Sequence, residues 1–486
     1  MENIWRKKPS RRDGGIIDRD VVPGFLEKMK HLTSSQKKFL KDLFPGDACL
    51  LKPEETLVFG TDAGRMFAPP LAVVRPESQS QVVELLGFAH KEKIPLFPRA
   101  AGTNVVGDCV PQGGGIVVST LLMNKILEVD PKDFVAVTQP GVVTHELQCR
   151  VREMGLFYPP DPASVRISTI GGNVSTNAGG MRAVKYGVTR DFVLGLTAVL
   201  PGGDVIQTGG RTHKNAVGLD LTGLLVGSEG TLAFITEIIL KLLPLPQATG
   251  SVMAGYDALE TALFAADKVF AAGILPVACE IMDEGTLKCL AEVKKTPWPD
   301  KTRAVLLFKL DGGTDALRKD MDRLAHVLKN TDPAYLAEGF GEEREEPLWE
   351  LRRLVNPASF RLGPDKLSDD VTVPRGRVRD AVSGIRKIQE KLGLPILTFG
   401  HLGDGNLHVN IMYDAGAGEK DRALAAKDEI LGLALGLGGT LSGEHGVGLA
   451  KAPYVDRQIG PRERGLMRSV KQCFDPHGIM NPGKAY

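Results

Sequence analysis

Two periods of apolar spacing alternate along the chain, and the places where one gives way to the other outline its organisation. After the polar start Thr33-Ser34-Ser35, the stretch Lys37-Lys38-Phe39-Leu40-Lys41-Asp42-Leu43-Phe44 has helical spacing, and the first sixty or so residues read as helices. From Pro70 the texture shortens. Leu71-Ala72-Val73-Val74 reads as a strand, Glu77-Ser78-Gln79-Ser80 as a helix start, Val82 through Ala89 as its helix, and Leu96-Phe97-Pro98 as the next strand. Short β-rich runs bounded by glycine or proline follow, among them Gly115-Ile116-Val117-Val118 and Phe134-Val135-Ala136-Val137-Thr138-Gln139. The prolines of Leu243-Pro244-Leu245-Pro246-Gln247 end this texture, because neither a helix nor a central strand accommodates them. Beyond them, helical patterns at residues 258–271, 316–328, 378–391 and 423–437 alternate with strand-like runs at 304–308, 396–399 and 407–411. Helices laid on an antiparallel sheet satisfy that order. The expected plan is α+β in three parts: a short N-terminal helical segment (1–64), a mixed domain (65–246) and a helix-and-sheet domain (247–486).

Composition narrows the function classes. A chain of 486 residues exceeds one hydrophobic core and can enclose a large cofactor. Lys plus Arg (60) nearly balances Asp plus Glu (59), which leaves no bulk field to attract nucleic acid. The basic start, with Arg6, Lys7, Lys8, Arg11 and Arg12, reads as a solvated tail, with a lipid surface or acidic partner as the alternative. The six cysteines show no C-x-x-C pair, so iron–sulfur, zinc-ribbon and dithiol redox chemistry are not expected, and a reducing cytoplasm fits. No run of eighteen apolar residues predicts a membrane span, and the first thirty residues predict no export signal. Glycine stands out, with 56 residues, so backbone is expected to turn tightly or approach a ligand closely in many places.

The glycines concentrate with small polar residues in three runs: Arg99-Ala100-Ala101-Gly102-Thr103-Asn104, the stretch from Thr169 to Gly180, and Val226-Gly227-Ser228-Glu229-Gly230-Thr231. Loops of this kind expose backbone N–H groups that can wrap a pyrophosphate. No G-x-G-x-x-G occurs, so a Rossmann NAD site lacks its fingerprint. Residues 478–485 approach a Walker A loop, but Ala485 stands where the magnesium-binding hydroxyl belongs, which excludes ATP there.

The order and content of these loops resemble the flavin domain shared by vanillyl-alcohol oxidase and para-cresol methylhydroxylase, a two-lobed FAD-binding fold. The resemblance covers roughly residues 70–246. It implies that FAD is held by Pro98, Arg99, Ala100, Ala101, Gly102, Thr103, Asn104 and Gly107, by the turns Gln139-Pro140-Gly141 and Pro160-Asp161, and by Glu229 and Ile235. It also implicates Ile170, Gly171, Gly172, Asn173, Ser175, Thr176, Asn177, Gly179 and Gly180. Members with covalent flavin carry a histidine after the Arg-x-x-Gly loop; Thr103 stands there, so dissociable FAD is expected.

The second half carries Gly400-His401-Leu402-Gly403-Asp404-Gly405-Asn406-Leu407-His408-Val409-Asn410 and, after a helix, Ser442-Gly443-Glu444-His445-Gly446-Val447-Gly448. A glycine-rich turn can fold His401 over His408, and His408 and Asn410 share a strand face. With Glu444 they supply the N and O donors of an open catalytic zinc site, although iron(II) or manganese also suits them, and turn-capping histidines are the alternative.

These motifs resemble the C-terminal domain of the FAD-linked D-2-hydroxy-acid oxidases, a group that includes D-lactate dehydrogenases, D-2-hydroxyglutarate dehydrogenases and the glycolate oxidase flavin subunit. The implied second domain is a ferredoxin-like cap of antiparallel sheet and helices. The resemblance implies that His401, His408 and Glu444 hold the metal and that His445 is the base. In Trp349-Glu350-Leu351-Arg352 it implies an arginine that pairs with the substrate carboxylate, assisted by Lys366, with Asn410 in the catalytic set. The closing run Phe474 to Lys484, with Asn481, is expected to return to the flavin. The implied reaction is oxidation of a D-2-hydroxy acid, D-lactate foremost, with electrons passed to a quinone, a cytochrome, an electron-transferring flavoprotein or an iron–sulfur subunit. Alternatives are a glycolate-oxidase-type subunit, a hydroxyglutarate dehydrogenase and, more distantly, an ether-lipid transferase. A homodimer and a cytoplasmic or peripheral inner-membrane location complete the expectation.

Overall fold

A computed structural model describes residues 31–485; the basic start from Arg6 to Arg12 lies outside the described residues. The polar start at Thr33 closes a capping box with Gln36 and opens the helix Ser34–Leu43. Short helical turns at Gly46–Ala48, Pro53–Thr56 and Leu57–Phe59 carry the stretch on to residue 59, broken by a two-residue strand, Cys49–Leu50, that pairs with Val73 and Val74. Leu40 and Phe44 share a core with Leu85, Leu86 and Ile116, so this segment packs as part of the first domain.

That domain has two lobes. In one, the strands Ala72–Val74, Ile116–Ser119 and Leu96–Arg99 run parallel, joined by the helix Gln79–Glu92 that Ser78 caps. Parallel pairing requires such a crossover. In the other, five antiparallel strands follow the order Ile126–Asp130, Val135–Thr138, Phe234–Lys241, Val193–Val199, Val205–Gly209. The run Ile170–Thr176, read as loop, is a short helix instead. Thr169 caps its start through a hydrogen bond from Gly172 N, and Asn177 ends it at φ +52°. Glycine lowers helix propensity, but here the cap and the buried Ile170 and Val174 outweigh it.

The proline-rich junction is itself a strand, Leu243–Pro244, paired with Leu156–Phe157 on the first domain. The next strand, Ala248–Tyr256, enters a seven-stranded antiparallel sheet. Its spatial order is Tyr335–Phe340, Ala248–Tyr256, Ala304–Gly312, Ala278–Met282, Ile396–His401, Asn406–Tyr413, Asp365–Thr372. The period of two sorts its residues cleanly. Leu306, Phe308, Cys279, Ile281, Leu407 and Val409 point to an outer layer of helices. Val305, Leu307, Ala278, Met282, Leu397 and Phe399 point to an inner layer with Trp349 and Leu290. The polar residues Glu280, His401, His408 and Asp370 fall on the inner alternation, so the strand period delivers them to the face turned toward the first domain.

The chain then returns. Ile479 and Met480 enter the core of the parallel lobe, and Leu96 exchanges backbone hydrogen bonds with Ile479 and Asn481 at 2.8 Å each. No helix among the described residues is long and apolar enough to cross a membrane.

Candidate active site

Sheet register sets the site. Glu280 lies directly across from His401, and Asp370 directly across from His408. Because His401 pairs with Asn406, His408 is its diagonal neighbour on the same face, within reach of long side chains. The two Nε2 atoms stand 3.3 Å apart, and Glu444 Oε1 lies 3.6 Å from His401 Nε2 and 3.4 Å from His408 Nε2. The three donor atoms lie within 4.8 Å of one another.

This donor set fits a divalent ion. His401 Nδ1 is held by Glu280 Oε1 at 2.5 Å, which turns Nε2 toward the cluster, as carboxylate-backed metal histidines require. Burial, against the pull of Glu444, takes His408 down to about 3, so its ring is neutral with a lone pair to offer. Burial would raise the Glu444 and Glu280 carboxyls, but hydrogen bonding and charge from His401 outweigh it and bring each to about 2.

The residues 442–448 run across the domain junction and are suspended from two buried carboxylates. Asp370 Oδ2 accepts the backbone N–H of Gly443 and Glu444 at 2.7 Å and of His445 at 3.2 Å. Glu229, from the first domain, accepts those of Val447 at 2.6 Å and Gly448 at 2.9 Å. Asn104 Nδ2 donates to His445 O at 2.9 Å. His445 Nδ1 lies 3.2 Å from Asp370 Oδ1, and its Nε2 lies 3.7 Å from Glu444 Oε1. Burial would lower the His445 ring, but Asp370 outweighs it and holds the ring above its ordinary value.

These groups open into a cavity of about 1310 Å³ between the domains. That exceeds the roughly 300–1,000 Å³ of ordinary small-molecule pockets and leaves room for a dinucleotide with a substrate. Of the expected flavin residues, Pro98, Arg99, Ala100, Gly102, Thr103, Asn104, Pro140, Asp161, Gly171, Gly172, Asn173, Ser175, Thr176, Gly179, Gly180, Glu229, Ile235 and Asn481 line it. Ala101, Gly107, Gln139, Gly141, Pro160, Ile170 and Asn177 do not. Gly107 N–H donates to Asp62 at 2.6 Å, Gln139 accepts from Lys125 N at 3.0 Å, and the Pro160 carbonyl accepts from Gln148 at 2.9 Å. At Gly171 a Cβ would strike Pro140, so only glycine lets the two backbones meet.

Arg352 lines the same cavity with its Nε committed to Glu280 at 2.6 Å and its guanidinium over Phe399. Its terminal nitrogens have no hydrogen-bond partner among the described residues. Lys366 lines the cavity above Phe360, and burial together with Arg65 lowers its pKa. Asn410 does not reach the cavity: its amide donates to Asn356 at 3.2 Å and accepts from Ser368 at 2.8 Å, so it braces the wall.

Sequence reasoning missed Glu280, Asp370 and the cavity-lining residues 63–66. A lone glutamate inside the apolar strand Ala278–Met282 was the available signal, since a buried charge must be paired. Asp370 carried no comparable mark beside Asp369.

Residues 245–485 match the family described as FAD linked oxidases, C-terminal domain, and residues 70–209 match the FAD binding domain. The chain is 40% identical to glycolate oxidase subunit GlcD of Bacillus subtilis (strain 168), over 88% of this chain and 92% of that one. It is 32% identical to D-lactate dehydrogenase of Anaerostipes hadrus, over 96% and 97%. It is 33% identical to D-2-hydroxyglutarate dehydrogenase of Stutzerimonas stutzeri (strain A1501), over 92% and 98%. Among solved structures, p-cresol methylhydroxylase with substrate bound superposes with a TM-score of 0.78 at 18% identity, over 92% of this chain and 96% of that one, which shows a shared fold.

Proposed function

The chain belongs to the FAD-linked oxidases, and from that premise we propose that it oxidises a D-2-hydroxy acid, D-lactate foremost, to the 2-oxo acid. The observation that carries the proposal is the convergence of His401, His408 and Glu444 beside His445 and Arg352 on the cavity that the flavin residues line.

When bound, FAD supplies a two-electron acceptor, and a divalent ion on His401, His408 and Glu444, zinc by its N and O donors, supplies a Lewis acid that lowers the pKa of a ligated hydroxyl. Arg352 holds the substrate carboxylate through its free terminal nitrogens, in a plane that Glu280 fixes. His445 Nε2 takes the 2-hydroxyl proton, and Asp370 at Nδ1 orients the ring and stabilises the imidazolium that forms. An external acceptor collects the electrons, in keeping with cysteines that lack the spacing of an iron–sulfur site.

The test is anaerobic bleaching of the flavin absorbance by D- and L-lactate, glycolate, D-2-hydroxyglutarate and 2-hydroxybutyrate, before and after chelation. Rapid, chelator-sensitive bleaching by D-lactate supports the proposal. A flavin that stays oxidised with every acid would overturn it in favour of a subunit that acts only with a partner.

A further inference from the structure

Three residues that the family resemblance makes flavin residues, Asn104, Gly179 and Glu229, line the cavity, and each also touches the run 444–448. Asn104 Nδ2 donates to His445 O at 2.9 Å. Glu229 spends one carboxylate oxygen on Val447 N at 2.6 Å and the other on Gly448 N at 2.9 Å. Gly179 lies so close to Glu444 that a Cβ there would stand 2.9 Å from its Oε2 and 3.1 Å from its Cβ. The wall of the flavin cavity and the support of the loop 442–448 are therefore the same residues.

Glu229 is the most firmly fixed of the three. It is 5% exposed, and burial raises its carboxyl; the N–H groups of Val447 and Gly448 are the first pull in the other direction, ahead of Lys484 and Lys451. A buried charge needs such donors, so these bonds are not incidental. Its backbone sits at φ +52°, a left-handed conformation that a residue other than glycine keeps only when its surroundings impose it. Those surroundings are again cavity wall: Glu229 N–H donates to Ser175 O at 2.8 Å, and Glu229 O accepts from Asn481 Nδ2 at 2.6 Å.

The three metal donors differ in what holds them. His401 and His408 stand on neighbouring strands of the second domain, whose pairing sets their register. Glu444 stands on no strand and is held from both domains: Asp370 accepts its N–H at 2.7 Å on one side, and Gly179 bounds its carboxylate on the other. A ligand that orders one face of such a shared element lowers the ordering cost left for a ligand on its other face.

We propose that FAD and the divalent ion bind cooperatively, with the loop 442–448 as the coupling element and Glu229 as the positioning residue that carries the coupling across the domain junction. The inference rests on His401, His408 and Glu444 being the metal ligands.

Equilibrium dialysis of the full-length protein against zinc, with and without saturating FAD, gives the metal Kd of the native, Glu229→Gln and Glu229→Ala forms. Titration of metal-free and zinc-loaded protein with FAD gives the reciprocal constants. Native protein is expected to bind zinc about fivefold or more tightly with FAD than without it, and zinc is expected to tighten FAD by the same factor, because linkage between two sites is reciprocal. Glu229→Ala is expected to bring both factors to about one, and Glu229→Gln, which keeps one acceptor oxygen, to leave them between. A change that only weakened the fold would lower both affinities and leave their ratio intact, so the ratio reports positioning. A native-size ratio in Glu229→Ala, or in Glu229→Gln where the alanine form does not fold, would remove Glu229 as the carrier. A native zinc Kd indifferent to FAD would overturn the coupling and leave the ligand assignment standing. Native protein that binds no zinc in either state would overturn the ligand assignment and the coupling with it.

Discussion

Single side chains set the chemistry through what each is bonded to. His445 faces the cluster with Nε2 because Asp370 lies at Nδ1, so His445→Asn is expected to slow anaerobic flavin reduction by orders of magnitude while the bound-flavin spectrum persists. Unimpaired reduction by that variant would remove His445 from the mechanism. Asp108 gives a stability signature of its own. Its carboxyl lies near 7 in the fold against 3.8 as an ordinary aspartate, so the folded flavin-free protein holds the extra proton across that window. The contribution to stability is therefore present below about pH 4 and lost as the pH rises through 7. Thermal melts of flavin-free protein should show Asp108→Asn gaining on the native chain between pH 4 and pH 8; parallel pH profiles would contradict the shift. Glu280 shows why some of this was hidden: its neighbours in the chain, Cys279 and Ile281, are apolar, and its partners, His401 and Arg352, lie 121 and 72 residues away.

At the scale of elements, the loop 442–448 has little packing of its own and is shaped by its carboxylate anchors. Asp370 serves three backbone N–H groups and is paired with the buried Lys451, which also meets Asp369 at 2.9 Å. Burial would raise the Asp370 carboxyl, but His445 and Lys451 hold it well below the usual carboxylate range. Asp370→Asn is expected to destabilise the protein by about 3 kcal/mol, because it leaves a buried lysine short of a counter-charge, and Lys451→Met in the same chain should recover most of that. Denaturant unfolding of the two single variants and the double variant measures the coupling, and strict additivity would argue against it. The loop also presses on the first domain. A Cβ at Gly179 would stand 2.9 Å from Glu444 Oε2, so Gly179→Ala is expected to displace Glu444 and lower the stoichiometry of bound divalent metal. Metal analysis of purified protein checks this, and an unchanged metal content would count against Glu444 as a ligand.

Across the whole molecule, the site exists only where the two domains meet, and the C-terminal segment ties them. The helix Pro461–Phe474 packs Val470 and Phe474 against the first domain, and Asp475, buried, accepts the N–H groups of Ile479 at 3.1 Å and Met480 at 2.7 Å. Asn481 then reaches Glu229 O at 2.6 Å, which is the residue that also anchors the loop 442–448. Deleting residues 475–486 is expected to release FAD and lower the melting temperature well beyond the loss of one contact, measured as free flavin fluorescence on heating. Retention of FAD by the truncated chain would show that the closing segment is dispensable.

Local signals were enough for much of this. Helix starts at Thr33 and Ser78, the strand alternation at 304–308 and 407–411, the proline junction and the clustered glycines depend on neighbours a few residues apart, so the α+β plan could be read from the chain and His401, His408 and Glu444 stood out as a donor set, whereas His445 entered only through the family resemblance. The short helix Ile170–Thr176 was misread because its cap and buried face outweigh glycine content, and Asn410 was placed on the right strand face without showing that its amide would be consumed by Asn356 and Ser368. The pairing of Glu280 with His401, the suspension of the loop 442–448 between Asp370 and Glu229, and the orphan oxygen of Asp108 were decided by tertiary structure alone. Each depends on which distant groups share a buried volume, and burial and pairing are properties of the packed molecule that no stretch of sequence carries by itself.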